Sequence, residues 1–157
     1  MKAELLLKFA FEASHSLGGY ETPHPHLWRL EITVGGDPIE GRIIDIVQLR
    51  TGIQREINAL EKTFLNDHPK VSPEVRQFPT CETLSHFFAT TLEGILQREF
   101  LPSNPTAHLI SVLVAICDLD GTEAGAVRLS CLSSRSENQN SIFSFPPELP
   151  QVAQSRH

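Results

Sequence analysis

His15, His24 and His26 are the residues of this chain whose type and spacing could do chemistry. His24 and His26 stand two apart around Pro25, so on an extended backbone both rings leave the same side. A third imidazole from a neighbouring strand completes a three-nitrogen metal site. Zinc is the natural occupant, because it accepts neutral imidazole and tolerates an open fourth position for water or substrate. Three protein ligands with one open position is the arrangement of a catalytic site, whereas structural zinc is usually closed by four. The competing reading makes each histidine a satisfied core residue, and His-x-His alone does not separate the two. Register favours the metal. Leu5, Leu7, Phe9, Phe11, Ala13 and His15 form one face of a first alternating stretch; His24, His26, Trp28, Leu30, Ile32 and Val34 form one face of a second. If those faces share a sheet surface, all three imidazoles sit at one end of it, beside the core.

The elements that must position these rings follow from periodicity and breakers. Residues 4–14 and 27–34 alternate as strands, joined by a loop holding Gly18, Gly19, Pro23 and Pro25, and Gly35-Gly36-Asp37-Pro38 is a strong break. Asp45 is a good helix N-cap, with Gln48 completing a capping box. Ile46, Leu49, Ile53, Ile57 and Leu60 then recur at helical spacing as one apolar stripe, which Gly52 weakens without ending. Residues 66–79 contain Pro69, Pro73 and Pro79, which argues against regular structure through most of them. A second helix is expected from Thr80 through Leu96, stopped by Pro102 and Pro105. Residues 108–118 read as a third strand with a nearly continuous apolar run, and 124–129 as a short fourth after Asp120-Gly121. The order β-β-α-α-β-β implies an α+β fold: an antiparallel sheet with two helices on one face. The edges of such a sheet are commonly closed between subunits, so a homo-oligomer is expected. From about residue 132 the chain is rich in Ser, Asn, Gln and Pro, giving a domain over 1–131 and a polar tail over 132–157.

At 157 residues the chain is long enough for one domain with a sizeable core. Its net charge of −6 disfavours nucleic acid as a general partner. No 18-residue apolar run occurs, and Glu4 stands where a signal peptide needs a hydrophobic segment, so no membrane partner and a cytoplasmic location are expected. Cys81, Cys117 and Cys131 lack paired spacing and read as free thiols, Cys117 as a buried inert one. Trp28 reads as core, and His68, His86 and His108 as surface or helix-face residues. Arg29, Arg42, Arg55 and Lys62 are candidates for contacting a polyphosphate, against the alternative of a solvated face.

Several motifs, in order, resemble the 6-pyruvoyltetrahydropterin and 6-carboxytetrahydropterin synthase family of the tunnelling fold (T-fold), over roughly residues 7–129. Phe11-Glu12-Ala13-Ser14-His15 resembles the family's F-x-A-A-H strand end, and His24-Pro25-His26 its His-Gly-His. Gly41-Arg42-Ile43-Ile44-Asp45 with Leu49 resembles G-x-x-x-D-F-x-x-L. Leu65-Asn66-Asp67 resembles the L-N-D after the first helix, and Pro79-Thr80-Cys81-Glu82-Thr83-Leu84 the P-T-S-E-N-L opening the second. The resemblance implies catalytic zinc on His15, His24 and His26 and 7,8-dihydroneopterin triphosphate as substrate. It also implies elimination of triphosphate or cleavage of the side chain, and trimers stacked into hexamers that form an oligomeric barrel with sites between subunits. The pathway it implies is queuosine, folate or biopterin synthesis.

Departures from the family pattern sharpen the expectations. The family's cysteine base falls at Tyr20 or Gly18, and neither replaces a thiolate. Its aspartate–histidine pair reads Glu61-Lys62; glutamate substitutes readily, whereas lysine is a poor base unless burial lowers its pKa. Glu21, three residues before His24, gives Glu-x-x-His-x-His, resembling a folate-linked subgroup in which glutamate stands in for the cysteine and the product is 6-hydroxymethyl-7,8-dihydropterin. A carboxylate beside a zinc-bound substrate is a sensible general base; the alternative is an exposed loop glutamate. The family's pterin-anchoring glutamate falls at Asp118, with Glu123 as a second candidate, and Thr80, Cys81 and Glu82 match the segment that helps hold the ring. Thr80 serves equally as an N-cap and Glu82 as a first-turn acid. A degenerate member, binding a pterin or purine-like ligand or a partner subunit without turnover, is the rival expectation.

Overall fold

The computed structural model describes residues 1–18 and 21–131; Gly19, Tyr20 and the tail from 132 lie outside the described residues. β1 (Ala3–His15) and β2 (His24–Gly36) form a long antiparallel hairpin. Both strands are longer than expected, because pairing extends the strand geometry to His15 and His24 themselves, which face each other across the ladder. Helix α1 (Ile46–Asn58), β3 (Thr63–Phe64), a short helix α2 (Pro73–Gln77) and helix α3 (Cys81–Ile95) follow. A π turn over Leu96–Phe100 extends α3 and ends before Pro102; β4 (His108–Cys117) and β5 (Glu123–Ser130) are the last elements of the described residues. The described sheet has the order β3-β1-β2-β4-β5.

The α+β class and the two helices on one sheet face stand, but the sheet is mixed rather than antiparallel. β3 runs parallel to β1, pairing Ala13 with Thr63 and Ser14 with Phe64. A two-residue strand carries no periodicity, so nothing in the pattern announces it. The expected irregular stretch 66–79 also contains structure. Ser72 caps α2 through Val75 N–H, and Pro73 sits at the helix start, where a missing N–H costs nothing.

One core unites the elements. Leu7, Phe9, Phe11 and Ala13 of β1 and Trp28, Leu30, Ile32 and Val34 of β2 lie on one face with Val112 and Val114 of β4, all buried. Leu49, Ile53 and Ile57 of α1 and Leu84, Phe88 and Leu92 of α3 join them. Phe88 meets Phe11 edge-on at 6.0 Å, and the Arg50 guanidinium lies 5.0 Å from the centre of the Phe9 ring. Ile46 leaves the expected stripe, being 45% exposed at the first helical position. Asp45 caps α1 by accepting from Val47 and Gln48 N–H, both at 3.0 Å. The reciprocal capping box forms in α3, between Thr80 and Thr83. Among the described residues, no helix is long and apolar enough to cross a membrane.

Candidate metal centre

Register brings the histidines together. His15 pairs with His24 and Ala13 with His26, so the three rings share the core-side face at the loop end of the hairpin. Their centroids lie 4.8, 5.0 and 4.8 Å apart, and one nitrogen from each falls within 4.8 Å of the others. Trp28 forms the floor, 5.2 Å from His15 and 6.2 Å from His26, its indole N–H donating to Ala13 O at 3.2 Å. It is fully buried and belongs to the core, as its register predicts.

Each imidazole is oriented by a backbone carbonyl. Nδ1 of His15 donates to Pro79 O at 2.8 Å, Nδ1 of His24 to Thr22 O at 3.0 Å, and Nδ1 of His26 to Cys117 O at 3.1 Å. A carbonyl only accepts, so the proton of each neutral ring is on Nδ1 and the lone pair is on Nε2. This is the tautomer in which Nε2 ligates a metal, and the carbonyls are the kind of outer partner that fixes ring orientation. Burial is the main cause that lowers the pKa of His15; the Pro79 carbonyl opposes it, and the neighbouring His26 and His24 reinforce it. His15 therefore stays neutral further into the acid range than a free histidine. A converging set of three neutral nitrogen donors fits zinc.

The other expected residues fall into groups. Glu21 lies beside the trio, with Oε1 3.8 Å from His24 Nδ1 and Oε2 accepting from Leu17 N–H at 2.6 Å. Asp118 is exposed and directly follows Cys117, whose carbonyl holds His26. It opens the β4–β5 turn, its N–H donating to Thr122 O at 2.8 Å. Glu123 pairs across the ladder with Cys117 and lies 4.0 Å from Arg29. Thr80 caps α3 one residue after the carbonyl that holds His15, and Glu82 is an exposed first-turn acid. The Cys81 thiol is pushed up to about 11, first by burial and then by Glu82, so it is protonated at neutral pH and offers no thiolate.

Glu61 and Lys62 are engaged with the backbone of β1. The Glu61 carboxylate accepts from Glu12 N–H at 3.1 Å, and Lys62 N–H donates to Glu12 O at 2.6 Å. Lys62 holds φ at 56°, the left-handed region in which a side chain is strained. Lys62→Gly is accordingly expected to leave stability unchanged or raise it by up to about 1 kcal/mol, while Lys62→Val loses about 1–2 kcal/mol. Thermal denaturation of the two variants checks this. Two of the candidate polyphosphate contacts have protein partners: Arg29 donates to Gly121 O at 3.0 Å, and Arg42 lies 3.7 Å from Asp45. His86 and His108 are exposed and His68 donates to Ala59 O, so none joins the metal cluster.

Sequence reading missed the carbonyls of Pro79, Thr22 and Cys117. Pro79 had a faint signal, as the residue opening the Pro79-Thr80 motif; the other two had none.

The hairpin brings three imidazoles together in an arrangement that could hold a metal ion, on a helix-backed sheet of the tunnelling-fold class. A profile of the 6-pyruvoyl tetrahydropterin synthase family matches residues 4–115, and the chain belongs to that family. Solved structures agree in fold. The 6-pyruvoyl tetrahydropterin synthase of Caenorhabditis elegans superposes with a TM-score of 0.63 at 14% identity, covering 84% of this chain and 97% of that one. An uncharacterised protein from Wolinella succinogenes gives 0.62 at 14%, covering 83% and 98%. The 6-pyruvoyltetrahydropterin synthase of Plasmodium vivax gives 0.57 at 17%, covering 83% and 99%.

Proposed function

We propose that the chain is a zinc-dependent, pterin synthase-like lyase acting on 7,8-dihydroneopterin triphosphate or a related reduced pterin. The observation that carries this is the trio of imidazoles, each held by a carbonyl on Nδ1 with Nε2 left to ligate. Zinc, when bound there, supplies a Lewis acid that polarises the oxygens of the substrate's side chain and eases proton removal at the adjacent carbon. His15, His24 and His26 hold it. Glu21, at the edge of His24, takes the proton as general base. One Plasmodium vivax synthase of the same fold has been solved with alanine in place of a catalytic glutamate, which supports a carboxylate in this role. Asp118 anchors the ring by accepting from its guanidine-like edge, with Glu123 across the turn as the second acid. Thr80, Cys81 and Glu82 shape the wall of the ring site through the backbone at the start of α3. Glu61 and Lys62 occupy the family's proton-relay position.

β5 lies at an edge of the described sheet. Pairing of such an edge with another copy fits a trimer or hexamer, with substrate bound between subunits. The rival reading, a pterin- or purine-binding member or partner subunit without turnover, is favoured by one observation. The Cys81 thiol is pushed up to about 11 by burial, so it offers no thiolate in place of the family's base.

Metal analysis of untagged protein and of His24→Ala, followed by incubation with 7,8-dihydroneopterin triphosphate, tests the proposal. About one zinc per chain, lost in the variant, with a new pterin product is the expected result. The product's identity assigns queuosine, folate or biopterin synthesis. Zinc without product selects the rival, and no zinc in the wild type overturns the metal site.

A further inference from the structure

We propose that Asn66 is a positioning residue that sets, through Ser16, both the His15 ligand and the backbone of Glu21. The inference rests on the reading of the trio as metal ligands and of Glu21 as base. β3 stops at Phe64, beside Ser14 of β1, so the ladder partner that Ser16 would need two residues later is missing. The chain instead turns through a single 3-10 turn, Leu65–Asp67, and the Asn66 carboxamide takes the place of a strand. Its Oδ1 accepts from Ser16 N–H at 2.9 Å, and its Nδ2 donates to Ser16 O at 2.8 Å. A primary amide is the side chain that presents an acceptor and a donor side by side, as a peptide edge does.

With its backbone fixed on that side, Ser16 is buried and turns its hydroxyl toward Glu21. Ser16 Oγ donates to Glu21 O at 2.9 Å, with Gly18 O within reach of the same proton at 3.2 Å. The Glu21 carboxylate in turn accepts from Leu17 N–H at 2.6 Å. Asn66 thus reaches His15 through one peptide bond and the Glu21 backbone through one hydroxyl. The two functions separate: the amide pair positions the metal ligand, and the hydroxyl positions the base.

Zinc affinity is measured by competition with a chromophoric chelator at a temperature where each variant is folded by circular dichroism. Asn66→Ala is expected to weaken zinc binding about 10- to 100-fold, the range typical of outer partners of metal ligands. A merely structural role lowers the melting temperature and leaves zinc affinity within about twofold of wild type, which overturns the proposal. Ser16→Ala keeps the backbone pair with Asn66 and removes only the hydroxyl. It is expected to bind zinc as wild type does and to lower kcat at unchanged KM; loss of zinc in this variant overturns the division of roles. It also provides the test if Asn66→Ala does not fold. Wild-type protein that takes up no zinc overturns the metal reading and this one with it, whereas tight zinc in wild type and Asn66→Ala alike overturns this one alone.

Discussion

If the trio holds zinc as proposed, His15→Ala is expected to abolish stoichiometric zinc uptake and, with it, turnover. One imidazole of three is removed from a binding energy on the order of 10–16 kcal/mol, so about 3–5 kcal/mol is lost, or roughly two to four orders of magnitude in Kd. Of the three, His15 is the one wholly inside, 3% exposed, with Pro79 O as its partner and His24, His26 and Trp28 around it. Water does not readily replace it. The same residue sets the pH dependence. Its folded-state pKa lies below the ordinary 6.5, chiefly because burial disfavours the charged ring. Below pH 6.5 the unfolded chain therefore binds more protons at this position than the folded one, so the stability of metal-free protein falls as pH drops through that value. Zinc affinity falls in the same direction, since protons compete for the three nitrogens. His15→Ala is expected to flatten the acid limb of the stability profile. An unchanged limb, read by denaturant titration across pH 5–7.5, would show that another group carries it.

Glu21→Gln lowers kcat about 10²- to 10⁴-fold while zinc stays bound. The amide keeps an oxygen for Leu17 N–H, so the loop retains its closure, and only the ability to take a proton is lost. Glu61→Gln is the matched control, because its amide oxygen also preserves the bond to Glu12 N–H. Under the proposed reading, with Glu21 as the base and Glu61 at the relay position, Glu61→Gln lowers kcat by about tenfold, less than Glu21→Gln does. Steady-state kinetics of the pair, with zinc content measured on the same samples, decides between the two carboxylates. Collapse of kcat in Glu61→Gln with Glu21→Gln intact would place the base at the turn before β3 instead. Equal, undetectable turnover in wild type and both variants would favour the member that binds without reacting.

Much of this site is readable in the chain because strand parity is a local property. Alternation from Leu5 to His15 and from His24 to Val34 already puts the histidines on the apolar faces, and antiparallel pairing then needs only one register to stack them. Helix caps are equally local: Asp45 and Thr80 act within three residues of themselves. The ordered motifs specify the family for the same reason, since each is a short contiguous run. Contacts made by groups that every residue possesses are not legible in this way. Pro79, Thr22 and Cys117 orient the three rings with backbone carbonyls, and only the path of the folded chain selects those carbonyls from all the others. β3 has no pattern because two residues have no period, and its parallel pairing exists only once α1 has returned the chain to the edge of β1. Glu61 matches the family's relay aspartate in the sequence, but only that return shows its carboxylate accepting from Glu12 N–H. The histidine trio and the helices that back it are thus written in local periodicity. Which backbone groups orient those rings is decided by contacts of the folded chain, two of them far apart in sequence, that form only when the sheet closes.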